Sequence, residues 1–213
     1  MKNRIAQSLK YAGLAGVPVY IGFTLAAHLH NPSMGPFKNW LSDYGSPLIN
    51  PSGALLYNLG CVITAVLLAA FYIGLTSWHD GAPRKLVVCY TGAQASGLIS
   101  AVFLVLASIV PIGTNPAHDV FSTINMIGMD SFLVFIAIAA FMNPYVSSGL
   151  GVLGFIAAAF NIFTANVVGN FFIAEWIFFA MFIVYIALVT VMYERFRGAN
   201  IRAAQENDAS LAQ

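Results

Sequence analysis

Charge is what this chain has least of: 8% of its residues are Asp, Glu, Lys or Arg, against about a quarter in an ordinary soluble domain. A net charge of +1, with no patch of clustered Lys and Arg, leaves no electrostatic footprint for nucleic acid and excludes that class of partner. Cysteine is nearly as scarce. Cys61 and Cys89 lie in apolar runs assigned to neighbouring antiparallel helices, one nearer each membrane face, so they should be offset by roughly 10 Å or more at about 1.5 Å per residue. A disulfide needs Cα atoms within about 7 Å, so both are read as reduced, buried, small hydrophobes. Long two-residue alternation of apolar and polar residues is also missing, which excludes a β-barrel. No internal repeat is found either, although four Asn-Pro pairs begin at Asn31, Asn50, Asn115 and Asn143.

Apolar residues make up 59% of the chain and the mean hydropathy is +0.80, the composition of a polytopic membrane protein. Six segments approach the roughly 20 residues needed to cross a hydrocarbon core about 30 Å thick. They are placed at 9–30, 53–77, 86–111, 119–142, 149–168 and 171–194. Each must be helical, because lipid offers no partner to backbone N–H and C=O groups. The fold expected is therefore all-α: a bundle of six transmembrane helices over residues 1–197, followed by a polar cytoplasmic tail at 198–213. The first apolar run, Tyr11 to Leu29, resembles a signal peptide in following Lys2, Arg4 and Lys10. It exceeds the usual apolar length of about 7 to 15 residues and is read as a retained helix.

Orientation follows from the basic residues. Lys2, Arg4 and Lys10 precede helix 1, Arg84 and Lys85 separate helices 2 and 3, and Arg195, Arg197 and Arg202 follow helix 6, leaving Lys38 on the other side. By the positive-inside rule both termini are cytoplasmic, in the cell membrane. Asn50-Pro51 and Asn115-Pro116 suit helix starts, while Asn31-Pro32 stops helix 1. The long first outer loop, 31–52, carries Met34, Phe37, Trp40, Leu41 and Tyr44 at three- and four-residue steps. That spacing suits a short interfacial helix anchored by Trp40 and Tyr44, with an ordinary structured loop as the alternative. Gly92, Ser96 and Ser100 form a small-residue stripe for close packing against another helix.

The few ionisable residues fall in a layer. His28, His30, Asp43, His118 and Asp119 all lie at the outer face on this topology, and Glu175 enters helix 6 only about 6 Å below it. Asn58 and Asn125 come next, with Asn166 and Asn170 near the outer end of helix 5. Asp130 lies some 16 Å into helix 4, near the midplane, where a polar group is costly. No basic residue shares a span with it, so Gln94, Asn161 and Thr64 are its candidate partners. Together these residues describe a polar cavity opening outward, suited to a lipid or small amphiphile held by Asp43, Asn58, His118, Asn125, Asp130 and Glu175. An alternative is an outer-surface lipid hydrolase or transferase with His118, Asp43 and Asp119 as acid/base candidates. Its metal-dependent form would hold zinc on His28, His118 and Asp43; without it no cofactor is expected. His28 and His30 point roughly 200° apart on one helix, so only one of them could bind. A small proton-coupled carrier, with Asp130 as coupling residue, is the third class.

The stretch LSDYG, then Asn50-Pro51 and a helix bearing Asn58 and Gly60, resembles the prokaryotic six-helix membrane proteins of the domain-of-unknown-function 998 family. The segment VPIGTNPAHDVFSTIN, Val110 to Asn125, is similar to that family's second marker. More distantly, the Ser-Asp-x-Gly loop and the histidine opening helix 4 resemble the damage-regulated autophagy modulators and relatives that remodel lipid anchors. The resemblance implies six helices, a signature in the first outer loop and involvement with lipid, and no established reaction. It carries over to Ser42, Asp43, Gly45, Asn58, Pro111 and His118, and leaves out His28 and His30.

Overall fold

The computed structural model describes residues 2–144, 146–167 and 172–211, with side chains over 8–144, 146–165, 172–198 and at 201. Six helices follow one another: α1 Lys2–His30, α2 Ala54–Gly74, α3 Arg84–Ile109, α4 Ala117–Met142, α5 Ser148–Val167 and α6 Phe172–Leu211. All six are long and apolar enough to cross a membrane, and no strand is found among the described residues. The apolar part of α6 ends at Gly198, yet the backbone stays helical to Leu211. Leu55, Val66, Ile109 and Val191 are more than half exposed on the outside of the bundle, which is where lipid would cover them.

The bundle is built on tight helix pairs. The expected stripe on α3 packs against α4: a Cβ added at Gly128 would lie 2.8 Å from Ser100 Cβ and 2.9 Å from the Ser96 carbonyl oxygen. Gly92 likewise abuts the Phe135 ring. With no hydrophobic drive between helices in lipid, such close backbone approach supplies the dispersion contacts that hold them. A large aromatic core, including Phe71, Tyr72, Phe132 and Tyr185, fills the centre and the end that carries the termini. There Trp78 stacks on Phe196 with ring centroids 4.3 Å apart, and Lys10 pairs with Glu194. Cys61 and Cys89 are both buried and free.

At the opposite end the first loop departs from the anchored interfacial helix. Its helical part is one 3-10 turn, Leu41–Gly45, and Tyr44 is buried with 1% exposure instead of reaching a headgroup layer. Met34, Leu41 and Tyr44 join Tyr20, Ala27, Tyr57 and Cys61 in a second apolar cluster. The reason is that Tyr44 has better partners inside. Its hydroxyl meets His28 Nδ1 at 2.8 Å and its ring lies edge-on to Trp176, while burial pushes its phenol above the ordinary tyrosine value.

Asn50 does not cap α2 with its side chain. Fully buried, it donates to the carbonyls of Ala27 and Tyr44, tying the loop to the end of α1. Asn115 behaves closer to expectation, since its Oδ1 accepts the Ala117 N–H at the start of α4.

Candidate functional site

The first loop is fastened over the bundle by side chains reaching up from the helices. Glu175 Oε2, one turn into α6, accepts the backbone N–H groups of Leu41 at 2.6 Å and Ser42 at 3.4 Å. Trp176 Nε1 donates to the Asn39 carbonyl at 3.0 Å. On the other side Asn58 of α2 donates to the Gly45 carbonyl at 2.9 Å. Gly45 has no room for a Cβ there, since one would sit 2.3 Å from Asn58 Oδ1. The spacing of Gly45 and Asn58 in the sequence thus reflects a direct contact.

Beneath the loop lies a cleft of about 430 Å³ between α4, α5 and α6. Its polar wall includes Ser42, His118, Asp119, Ser122, Asn161 and Glu175, and its apolar wall includes Trp40, Met126 and Ala174. Ser42, His118, Ser122, Met126 and Glu175 also line a second, smaller cavity of about 40 Å³, whose far side is formed by Tyr20, Asn58 and Asn125. Tyr20, Leu104, Asn125 and Phe179 in turn line a narrow apolar slot, also about 40 Å³, which continues past Gly13 and Gly16 of α1 and Phe182 of α6. The three spaces share walls in sequence. Their linings grade from polar at the cleft to apolar in the slot.

His118 lines both the cleft and the small cavity. It is buried at the first turn of α4, and its Nδ1 lies 2.7 Å from the Val110 carbonyl and 3.1 Å from the Ala107 carbonyl. Carbonyl oxygens only accept, so Nδ1 carries the proton and Nε2 presents a lone pair. The Ser122 hydroxyl, four residues on and therefore on the same helix face, donates to that lone pair at 3.0 Å.

The sequence layer is therefore only partly gathered. His118, Asp119 and Glu175 share the cleft, and Asn58 and Asn125 share the small cavity beneath it. Asp43 stays out: its Oδ2 accepts the Trp40 N–H at 3.0 Å and Asn39 Nδ2 at 3.5 Å, closing its own turn. Its neighbour Ser42 occupies the cavity wall in its place. His28 is taken up by Tyr44, and His30 is exposed on α1. Asp130 is buried below the cleft and accepts Asn161 Nδ2 at 2.8 Å. Gln94 turns instead to the Tyr72 carbonyl and Thr76. Asn170 and the side chain of Asn166 lie outside the described residues.

Among the described residues no three His, Cys, Asp or Glu side chains are grouped to hold a metal ion. The zinc set of His28, His118 and Asp43 is separated by these local bonds. Ser122 was the residue sequence reasoning passed over; its spacing of four from His118 on a predicted helix was the available signal.

Searches of curated proteins and of solved structures found no match. A family model does match, over residues 14–192, spanning all six helices and both marker segments. This chain belongs to the membrane-protein family described as protein of unknown function (DUF998).

Proposed function

We propose that these three spaces act as one graded path that binds a membrane amphiphile, with its head in the cleft and the first methylenes of its chain in the apolar slot. The observation that carries this reading is that neighbouring cavities share lining residues, in a series from Glu175 and His118 at the mouth to Phe182 and Gly16 inside. The head should be neutral or amine-bearing. The described lining of the cleft holds two carboxyl groups, several hydroxyls and the Asn161 amide but no Lys or Arg, the residues that ordinarily recognise phosphate. Both termini would be cytoplasmic, so that the cleft faces the outer leaflet of a prokaryotic cell membrane. Eight of nine basic residues on the terminal side support that orientation.

The test is binding of a fluorescent monoacylglycerol to the purified protein in nanodiscs. A Cβ at Gly16 would meet Leu67 Cβ at 3.7 Å and Thr64 Cγ2 at 3.8 Å, ordinary contacts. Gly16→Leu should therefore fold while its longer side chain occupies the slot. Affinity should fall by about tenfold, equivalent to roughly 1.4 kcal/mol. The lipid-facing control Val191→Leu should bind as the wild type does. Equal affinity in all three proteins would refute the assignment of the chain to the slot.

A further inference from the structure

We infer that Ser122 and His118 form a nucleophile–base pair for acyl transfer at the head of this path. The inference rests on the amphiphile-binding reading for its substrate class, an acyl ester with a neutral or amine-bearing head. Its chemistry rests on the pair itself.

Three observations carry it. The first is the direction of the serine hydroxyl. Elsewhere in these helices Ser96, Ser108, Thr164 and Thr190 each donate to the carbonyl four residues back, the local bond that helical hydroxyls ordinarily make. Ser122 donates to an imidazole nitrogen instead.

The second is the state of that imidazole. Its Nδ1 proton is held by the carbonyls of Ala107 and Val110, at the C-terminal end of α3. These acceptors at the end of the helix fix the orientation of the ring, so that Nε2 faces Ser122. An orienting acceptor behind the base is what a buried carboxylate provides in a serine–histidine–acid arrangement.

The third is access. Ser122 is half-buried and lines both the cleft and the small cavity. Asn125, three residues further along α4, spends its Oδ1 on Ser100 and keeps its amide N–H groups for a developing oxyanion.

The reaction balances without an oxidant or a metal. Ser122 Oγ bonds to the ester carbonyl carbon while its proton passes to His118 Nε2. The bond from that carbon to the alkoxy oxygen then breaks, and the leaving alcohol takes the proton from Nε2. Water attacks the resulting acyl-serine, giving a proton to Nε2. The carbon–Oγ bond breaks, Ser122 recovers its proton and a carboxylic acid is released.

The test uses the full chain in phosphatidylcholine nanodiscs with a dodecyl fluorophosphonate, read by intact mass and peptide mapping. A single adduct on Ser122 is expected. Ser122→Ala should give none, and His118→Gln should slow labelling by about 100-fold or more, the usual contribution of a general base. The wild type alone decides the matter if a variant fails to fold: no adduct at saturating probe, or an adduct elsewhere, overturns the inference. So does an undiminished rate in His118→Gln. Binding of the unreactive dodecyl glyceryl ether is measured beside it. Ether binding without an adduct overturns the nucleophile and leaves the binding reading standing, whereas absence of both overturns both.

Discussion

Replacing Gly45 by alanine should detach the first loop from α2, and the cost follows from the local geometry. The new Cβ would lie 2.3 Å from Asn58 Oδ1 and 3.0 Å from Tyr57 Cδ1. Tyr57 is buried against Tyr20 and Tyr44, so the Asn58 amide is the group that must move. Moving it breaks the 2.9 Å bond to the Gly45 carbonyl. A buried acceptor left without its donor costs about 1–3 kcal/mol, and residual crowding at Tyr57 adds about 1 kcal/mol.

Gly45→Ala should therefore lower stability by about 2–4 kcal/mol, or roughly 5–15 °C in melting temperature for a chain of this size. Thermal unfolding in detergent, followed by tryptophan fluorescence, reads this directly. Asn58→Ala removes both the clash and the bond, and alone should cost about 1–2 kcal/mol. The double variant should be no worse than Gly45→Ala alone, a departure from additivity of about 1 kcal/mol or more. Additive losses, or a Gly45→Ala melt within about 1 °C of wild type, would refute the proposed contact.

Two further outcomes follow from the same packing. Glu175→Ala removes the acceptor for the Leu41 and Ser42 amides. Their hydrogen exchange should quicken by about 5- to 100-fold, given about 1–3 kcal/mol for buried donors left without their acceptor, and Glu175→Gln should keep most of the protection. Unchanged exchange in the alanine variant would show that the carboxylate does not hold the loop. Gly128→Ala forces a Cβ against the Ser100 Cβ and the Ser96 carbonyl of α3, atoms that cannot swing aside. It should cost about 1–3 kcal/mol in detergent melts, whereas Gly22→Ala, with nothing within 4 Å, should be neutral or slightly stabilising. Equal melting temperatures would argue against the close α3–α4 approach.

What the chain determines by itself is mostly arranged along the membrane normal. Six spans and the order of Asn58, Asn125 and Asp130 along their helices are legible because bilayer thickness and rise per residue convert position in sequence into position along a helix. The paired markers around Gly45 and His118 were legible too, as was the family. Azimuth was not. Whether a side chain at a given depth faces a cavity, a neighbour or lipid depends on how each helix is rotated about its axis. That rotation is set by contacts between distant residues, such as Gly128 on Ser100 and Gly60 on Phe23.

Tertiary packing therefore chose Asn161 over Gln94 and Thr64 as the partner of Asp130, and turned Asp43 back onto its own turn. It sank Tyr44 into the bundle because His28 and Trp176 offered it a hydrogen bond and an aromatic edge that a headgroup layer would not. It also brought the free carbonyls ending α3 behind His118, leaving Nε2 to Ser122. Depth is a property of one helix; a site requires the phase of several.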